Sequence, residues 1–335
     1  MKKISIVNSD PFFDKNKVFG NGDKFNMMYP FFHLKQALKN LGVEINTSDI
    51  TPTSHSEFIL FNEVPKKSFD LDLLKEKKSF LLILECEIIR PENFDKNYHK
   101  YFKRVFTWDD NLIKDDPSLY VKSNFAQSLD HFPSKSIEKR KNFLCCVSAN
   151  KKIIHKNELY SKRLEIIKWL EENDPESFDL YGHGWGHIKF PSNSILRPLN
   201  VLKYFPEIKT LRSSWKGVIT NKFEKLSEYK FNLCLENAKG YEGYITEKII
   251  DSFRSGCIPI YYGAPNIDSY IPRDCFINLS DYVSFSSCYD HLKSLSNNDL
   301  LCYQKNMKNF LNSEDSFSFS HNSFSETIIS NLELN

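Results

Sequence analysis
An α/β fold made of two Rossmann-like halves facing one another is what this sequence predicts, and three observations predict it. The chain has 335 residues, more than one ordinary core holds, so two domains of roughly 150 residues each are expected. Short apolar runs alternate with segments of helical period, the pattern of parallel βαβ units. A polar, proline-broken stretch at 132–142 divides the series in two and reads as a linker.

The elements follow in order. Residues 3–7 read as a first strand. Residues 30–41 read as a helix, because Phe31, Leu34, Leu38 and Leu41 recur at helical spacing, Pro30 suits a first turn and Gly42 suits the stop. Strands are expected at 58–61, 80–84 and 104–107. Beyond the linker come a strand at 143–147 and a helix at 158–171 with Tyr160, Leu164, Ile167 and Leu170 on one face. Further strands are expected at 178–181, 230–235, 258–262 and 275–279. The tail from Asn312 onward is rich in serine and phenylalanine and has no clear period. The expected domains are 1–138 and 139–311, with 312–335 as a tail packing back on the first.

Composition narrows the function classes. Lys and Arg number 45 against 43 Asp and Glu, so no general field draws nucleic acid or a membrane surface. The start carries two lysines but no long apolar run, which argues against a signal peptide. No apolar stretch reaches the ~20 residues that span a bilayer. The cysteines, Cys86, Cys145, Cys146, Cys234, Cys257, Cys275, Cys288 and Cys302, have no zinc spacing and read as buried thiols. A cytoplasmic protein, with contact at the inner membrane face an open option, is the expectation.

The segment 226–281 carries the chemistry. A buried strand at 230–235 ends at Glu236 and Asn237, where open α/β sheets bind ligands. A loop with Gly240 and Gly243 follows. Thr246 sits at a helix N-cap position, Ile249, Ile250 and Phe253 supply an apolar face, and Gly256 closes the helix. Tyr244, Glu247 and Lys248 therefore crowd a helix N-terminus, which welcomes an anion. Lys248 can neutralise a diphosphate and Glu247 can accept from sugar hydroxyls. The plainer alternative is that Thr246 and Glu247 only cap the helix and Lys248 is a solvated charge.

The whole segment is similar to the signature of the α1,3-fucosyltransferase family. The likeness lies in Tyr229-Lys230-Phe231, Glu236-Asn237, Tyr244-Ile245-Thr246-Glu247-Lys248 and Pro259-Ile260-Tyr261-Tyr262-Gly263, in order and spacing over roughly fifty residues. It is closest to the bacterial cytoplasmic members. The resemblance implies a GT-B fold, two Rossmann-like domains across a cleft, with the acceptor on the first domain and GDP-fucose on the second. It also implies inversion at the anomeric carbon and no required metal or other cofactor.

Carried onto matching positions, it implies a donor pocket of Ser148, Asn150, Arg163, Tyr229, Glu236, Asn237, Tyr244, Thr246, Glu247 and Lys248. Arg163 offers a planar fork for phosphate oxygens; its alternative is a surface arginine of an amphipathic helix. In the first half, Glu85 ends a buried strand and is the candidate general base. Cys86 and Glu87 stand where the family has Ser-Pro, while Pro91 keeps its spacing. Glu87 is a rival, since alternation puts it on the same side as Glu85. The plainer alternative is that one of them merely pairs with Arg90 or a nearby lysine.

Other signals carry less. The run Gly182-His183-Gly184-Trp185-Gly186 lacks dinucleotide spacing and reads as a flexible loop at the cleft edge. His183 and His187 lack a third metal ligand. Asp70 and Asp72 resemble an Asp-x-Asp metal motif but sit in a lysine-rich helical stretch. Trp108, Asp109 and Asp110 line the acceptor pocket or form a turn. Residues 8–13 and Phe31-Phe32-His33 are further acceptor candidates, although aromatics at such spacing are more often core. The expected acceptor is a glycan, by family default the 3-OH of GlcNAc or a similar sugar in a surface polysaccharide. Alternatives are a transferase for another GDP-sugar such as GDP-mannose, or a non-catalytic nucleotide-sugar or glycan-binding module.

Overall fold
The structure is a computed structural model that describes residues 2–23, 27–65, 78–130, 135–186 and 212–334. Asp70, Asp72 and His187 lie outside the described residues. The first half contains β1 (Lys2–Asn8), α1 (Tyr29–Asn40), β2 (Val43–Thr47), β3 (Phe58–Asn62), β4 (Lys78–Ile83), α2 (Lys96–His99), β5 (Arg104–Thr107), α3 (Asp110–Asp115) and β6 (Tyr120–Lys122). The second contains β7 (Asn142–Val147), α4 (Tyr160–Asn173), β8 (Phe178–Tyr181), α5 (Lys222–Leu226), β9 (Tyr229–Leu235), α6 (Glu247–Arg254), β10 (Ile258–Tyr262) and β11 (Ile277–Asn278). Three helices end the chain: α7 (Phe285–Ser294), α8 (Asn297–Leu311) and α9 (His321–Asn331).

The strands form two parallel sheets, ordered β2-β1-β3-β4-β5-β6 and β11-β10-β9-β7-β8. Both follow one plan: the second strand of each half lies outside the first, and the third lies on the first strand's other side. The order therefore reverses between β1 and β3, and again between β7 and β9. Crevices at the carboxyl ends of strands open at such reversals, which is where doubly wound sheets bind ligands. The ends of β1, β3, β7 and β9 all reach the same cleft.

Apolar faces drive this arrangement. Ile249, Ile250 and Phe253 of α6 are fully buried, as are Ile166, Ile167 and Leu170 of α4. Each such side chain contributes roughly 1.5–3 kcal/mol by leaving water. The C-terminal helix α9 crosses back to the first half. Its Phe324, Ile328 and Leu332 join the core of Phe31, Leu34 and Leu38, and Phe324 meets Phe31 edge-on at 5.4 Å between ring centres. Ser320 caps α9 by accepting from the Ser323 N–H at 3.0 Å.

The observed elements depart from the sequence reading in places. The strand expected at 275–279 shrinks to β11, because a short 3-10 turn at Arg273–Cys275 follows Pro272. The polar strand β2 and the edge strand β6 were not expected. Part of the expected linker is packed: Arg140 is buried and donates to the carbonyls of Tyr229 at 2.7 Å and Ser255 at 3.0 Å. Seven cysteines are buried free thiols, but Cys302 on α8 is exposed. Among the described residues no helix is long and apolar enough to cross a membrane.

Candidate active site
A cleft of about 600 Å³ opens between the two sets of strand ends. Behind its second-half wall lies Glu236, the residue after β9. Glu236 is fully buried, and its carboxylate accepts from the Thr246 N–H at 2.9 Å, the Thr246 hydroxyl at 2.7 Å and the Lys248 ammonium at 2.9 Å. Glu236 thus ties the start of α6 to the end of β9. It is an internal anchor, and it is not among the residues that line the cleft, although a donor contact is expected of it from sequence. Thr246 does occupy the N-cap position, but its side chain makes no capping bond. Its hydroxyl is spent on Glu236, so the plain capping alternative fails.

Arg163 is also buried, at 3% exposure, which removes its surface-arginine alternative. Its Nη2 donates to the carbonyls of Leu235 at 2.8 Å and Glu236 at 3.2 Å. Arg163 and Lys248 therefore converge on one residue, and both line the cleft with Ser148, Asn237, Tyr244, Thr246 and Glu247. Burial pulls the Lys248 ammonium down, but the carboxylates of Glu236 and Glu247 outweigh this and raise it above its ordinary value. Burial pushes Glu247 up, yet Lys248 and Lys222 hold it below the usual carboxylate range. The wall is thus a set of mutually braced charges, with the cations Arg163, Lys222 and Lys248 all lining the cleft.

The first half supplies Glu85 at the end of β4. Burial raises its carboxyl above the ordinary value, while Lys248 is the largest opposing charge, followed by Lys151. Glu87 is not brought to the cleft. The strand stops at Ile83 and a turn begins at Cys86, where the Arg90 N–H donates back to the Cys86 carbonyl at 2.9 Å. Alternation therefore ends before Glu87, which is exposed and accepts from the Tyr241 hydroxyl at 3.1 Å. Arg90 pairs with Glu92 at 3.3 Å, not with Glu85 or Glu87.

One glycine lets the halves approach and another leaves room for Glu236. Gly243 has φ +81, and a Cβ there would strike the Trp108 carbonyl oxygen of the other half. A Cβ on Gly263 would stand 2.5 Å from Cγ of Glu236. Trp108 itself is fully buried, donates to the Leu84 carbonyl at 2.8 Å and packs 4.7 Å from the Tyr244 ring. It fixes the strand end that carries Glu85 and does not line an acceptor pocket. Asp109 caps α3 through the Asn111 and Leu112 N–H groups. Asp110 bridges the halves, accepting from Lys122 at 2.7 Å and from Asn266 at 2.8 Å.

Comparison with known proteins fits this geometry. The family model described as glycosyltransferase family 10 (fucosyltransferase), C-terminal part, matches residues 137–324, more than half of the chain. The chain belongs to glycosyltransferase family 10. An alpha-(1,3)-fucosyltransferase from Helicobacter pylori is 40% identical over 103 residues, 31% of this chain and 21% of that protein. The bovine 4-galactosyl-N-acetylglucosaminide 3-alpha-L-fucosyltransferase 9 is 33% identical over 115 residues, 33% of this chain and 32% of that protein. The matches thus span a fifth to a third of these relatives' lengths. A solved α1,3-fucosyltransferase superposes with TM-score 0.58 at 17% identity, covering 100% of this chain and 91% of that one. The family 10 chain therefore has the GT-B fold.

Within that fold, three expected site residues do not line the cleft. Tyr229 begins β9, seven residues long, and the cleft lies at its other end, about 20 Å away. Its hydroxyl donates to Asp179 at 2.5 Å and meets that of Tyr181 at 2.8 Å. Asn150 does not line the cleft; its amide donates to the Gly184 carbonyl at 3.0 Å. Glu236 is the anchor already described. The glycine-rich run read as flexible is a brace: Trp185 donates to the Ser148 carbonyl at 2.7 Å. Cleft residues that the sequence reading missed include Lys151, Lys222, Asp251, Arg254 and Glu63. Lys222 pairs with Asp251 at 2.7 Å; an isolated lysine ahead of the strand gave no motif signal.

Proposed function
We propose that this chain is an inverting α1,3-fucosyltransferase that moves L-fucose from GDP-β-L-fucose to a glycan hydroxyl. The observation that carries the reading is that Glu85, from one half, and Arg163 and Lys248, from the other, line a single cleft. Glu85 lies close enough to Lys248 for that ammonium to be the leading charge opposing the rise of its carboxyl. A partly desolvated carboxylate facing a cationic wall suits proton abstraction opposite a departing diphosphate.

In the proposed reaction Glu85 takes the proton of the acceptor hydroxyl. The acceptor oxygen bonds to the anomeric carbon from the face opposite the diphosphate. The bond from that carbon to the β-phosphate oxygen breaks, and its electron pair leaves with GDP. Arg163 and Lys248 balance the charge that grows there, so the reading asks for no metal. Glu247, held ionised, accepts from donor hydroxyls; Ser148, Asn237 and Tyr244 shape the pocket around them. The reading also draws on a neighbouring α1,3-fucosyltransferase solved with GDP-fucose, TM-score 0.56. By analogy with the named relatives, the acceptor is the 3-OH of GlcNAc or a similar sugar in a surface polysaccharide.

The test is a donor panel of GDP-fucose, GDP-mannose and UDP-glucose, each with a galactosyl-GlcNAc acceptor, read by nucleotide release and product linkage. GDP release from GDP-fucose alone, with an α1,3-linked product, is expected. Preferred turnover of GDP-mannose would replace the donor, and no product from any donor despite tight GDP binding would replace catalysis with binding.

A further inference from the structure
We infer that Glu63 is a positioning residue that fixes Glu85 in the cleft, an inference that rests on Glu85 being the base. Glu63 follows β3 in the left-handed region, φ +70, a conformation uncommon for a residue with a side chain. The strand pairing that would hold the neighbouring chain runs out here: Asn62 faces Leu82, and the Glu63 N–H donates to the Leu82 carbonyl at 2.9 Å. Past that point the Glu63 carboxylate takes over from a strand. Its Oε1 accepts from both the Leu84 and Glu85 N–H groups, each at 2.9 Å.

The other oxygen is braced from behind. Oε2 accepts from the side-chain amide of Asn93, which also reaches the Glu85 carbonyl at 3.3 Å. Asn93 and His99 are fully buried. His99 Nε2–H donates to the Asn93 carbonyl at 2.8 Å, and the Tyr120 hydroxyl donates to His99 Nδ1 at 2.9 Å. A chain of buried polar groups thus runs from Tyr120 through His99, Asn93 and Glu63 to the backbone of Glu85. Such a chain holds a reacting group in place without touching substrate. Burial pushes Glu63 up to about 7, against the pull of Asn93 and the two N–H groups, with Glu85 adding repulsion. Lys248, Lys151, Glu247 and Arg90 are the other charges facing Glu85.

The test compares Glu63→Ala, Glu63→Gln, Glu85→Gln and the double variant Glu63→Ala/Glu85→Gln. Glu63→Ala should lower kcat on the order of 10- to 100-fold with the donor KM within about 3-fold. Glu63→Gln keeps an acceptor at the Oε1 position and should stay within about 5-fold of the parent. On the Glu85→Gln background, Glu63→Ala should cost less than about 3-fold more. A full repeat of the loss on that background overturns the inference, as does Glu63→Gln being as inactive as Glu85→Gln. If Glu63→Ala does not fold, Glu63→Asp, one methylene too short to reach both N–H groups, takes its place, and a parental kcat in that variant overturns the inference. Wild-type turnover by Glu85→Gln instead fails the base assignment, and only that arm reports it.

Discussion

The two walls of the cleft are built on different physics. The second-half wall is ionic: Lys151, Arg163, Lys222, Glu247, Lys248, Asp251 and Arg254 all face it. The first-half wall is mixed: Phe13, Met27, Met28, Pro30 and Phe31, joined by Phe324 from α9, form an apolar patch. Ser9, Asp10, Asn62, Glu63, Glu85, Arg90 and Gln127 stand around it. A charged wall selects a ligand by matching a diphosphate, and its geometry is locked by buried ion pairs such as Lys248 with Glu236. An apolar patch selects by shape and contact area, and here Phe31 and Phe324 also belong to the core. The proposed function assigns the donor to the ionic wall and the acceptor to the mixed one.

Substitutions can break or sharpen that contrast. The largest effect expected on the ionic side is from Lys248→Ala. Its kcat/KM with GDP-fucose should fall about 100- to 1,000-fold, as for loss of one preorganised charge at a leaving group. Because Glu236 is then left buried without its cation, stability should drop by about 3 kcal/mol, read by denaturant unfolding. A loss shared equally between GDP-fucose and acceptor KM would blur the contrast. Next comes Gly263→Ala, whose methyl would press on the anchored Glu236; unfolding should register about 1–3 kcal/mol of destabilisation.

Tyr229→Phe should cost about 1 kcal/mol of stability through the lost bond to Asp179, with kcat/KM unchanged. A donor-specific defect would return Tyr229 to the site. The smallest effect is on pH. Lys151 is a cation that lowers Glu85, so Lys151→Ala should raise that carboxyl and shift the acid limb of kcat/KM upward by a few tenths of a pH unit. A downward shift would show that Lys151 does not face Glu85.

How well each wall could be read in sequence follows from the same difference. Part of the ionic wall sits within one continuous segment, a strand, a loop and a helix, so order and spacing expose Tyr244, Thr246, Glu247 and Lys248, whereas Lys151, Arg163 and Lys222 come from outside it. What spacing cannot tell is which motif residues face the ligand. Glu236 turns inward to hold α6, and Tyr229 lies a strand's length away. Glu87 was read by alternation past the point where the strand ends. Glu63 gave no signal, since a left-handed glutamate after an apolar strand looks like any loop residue. Strand β2 was missed because Glu44, Asn46 and Thr47 dilute its apolar pattern. Helix α9 hid in a serine- and phenylalanine-rich stretch whose burial depends on α1, far away in sequence.

The central claim is that proton transfer and leaving-group stabilisation come from opposite walls of one cleft. Glu85→Gln, measured for single-turnover fucosyl transfer alongside GDP affinity by calorimetry, tests it most directly. Transfer should fall about 100- to 10,000-fold, with GDP affinity within about 3-fold of the parent because the cationic wall is intact. Transfer at the parental rate, or a loss of GDP binding as large as the loss of transfer, would contradict the account.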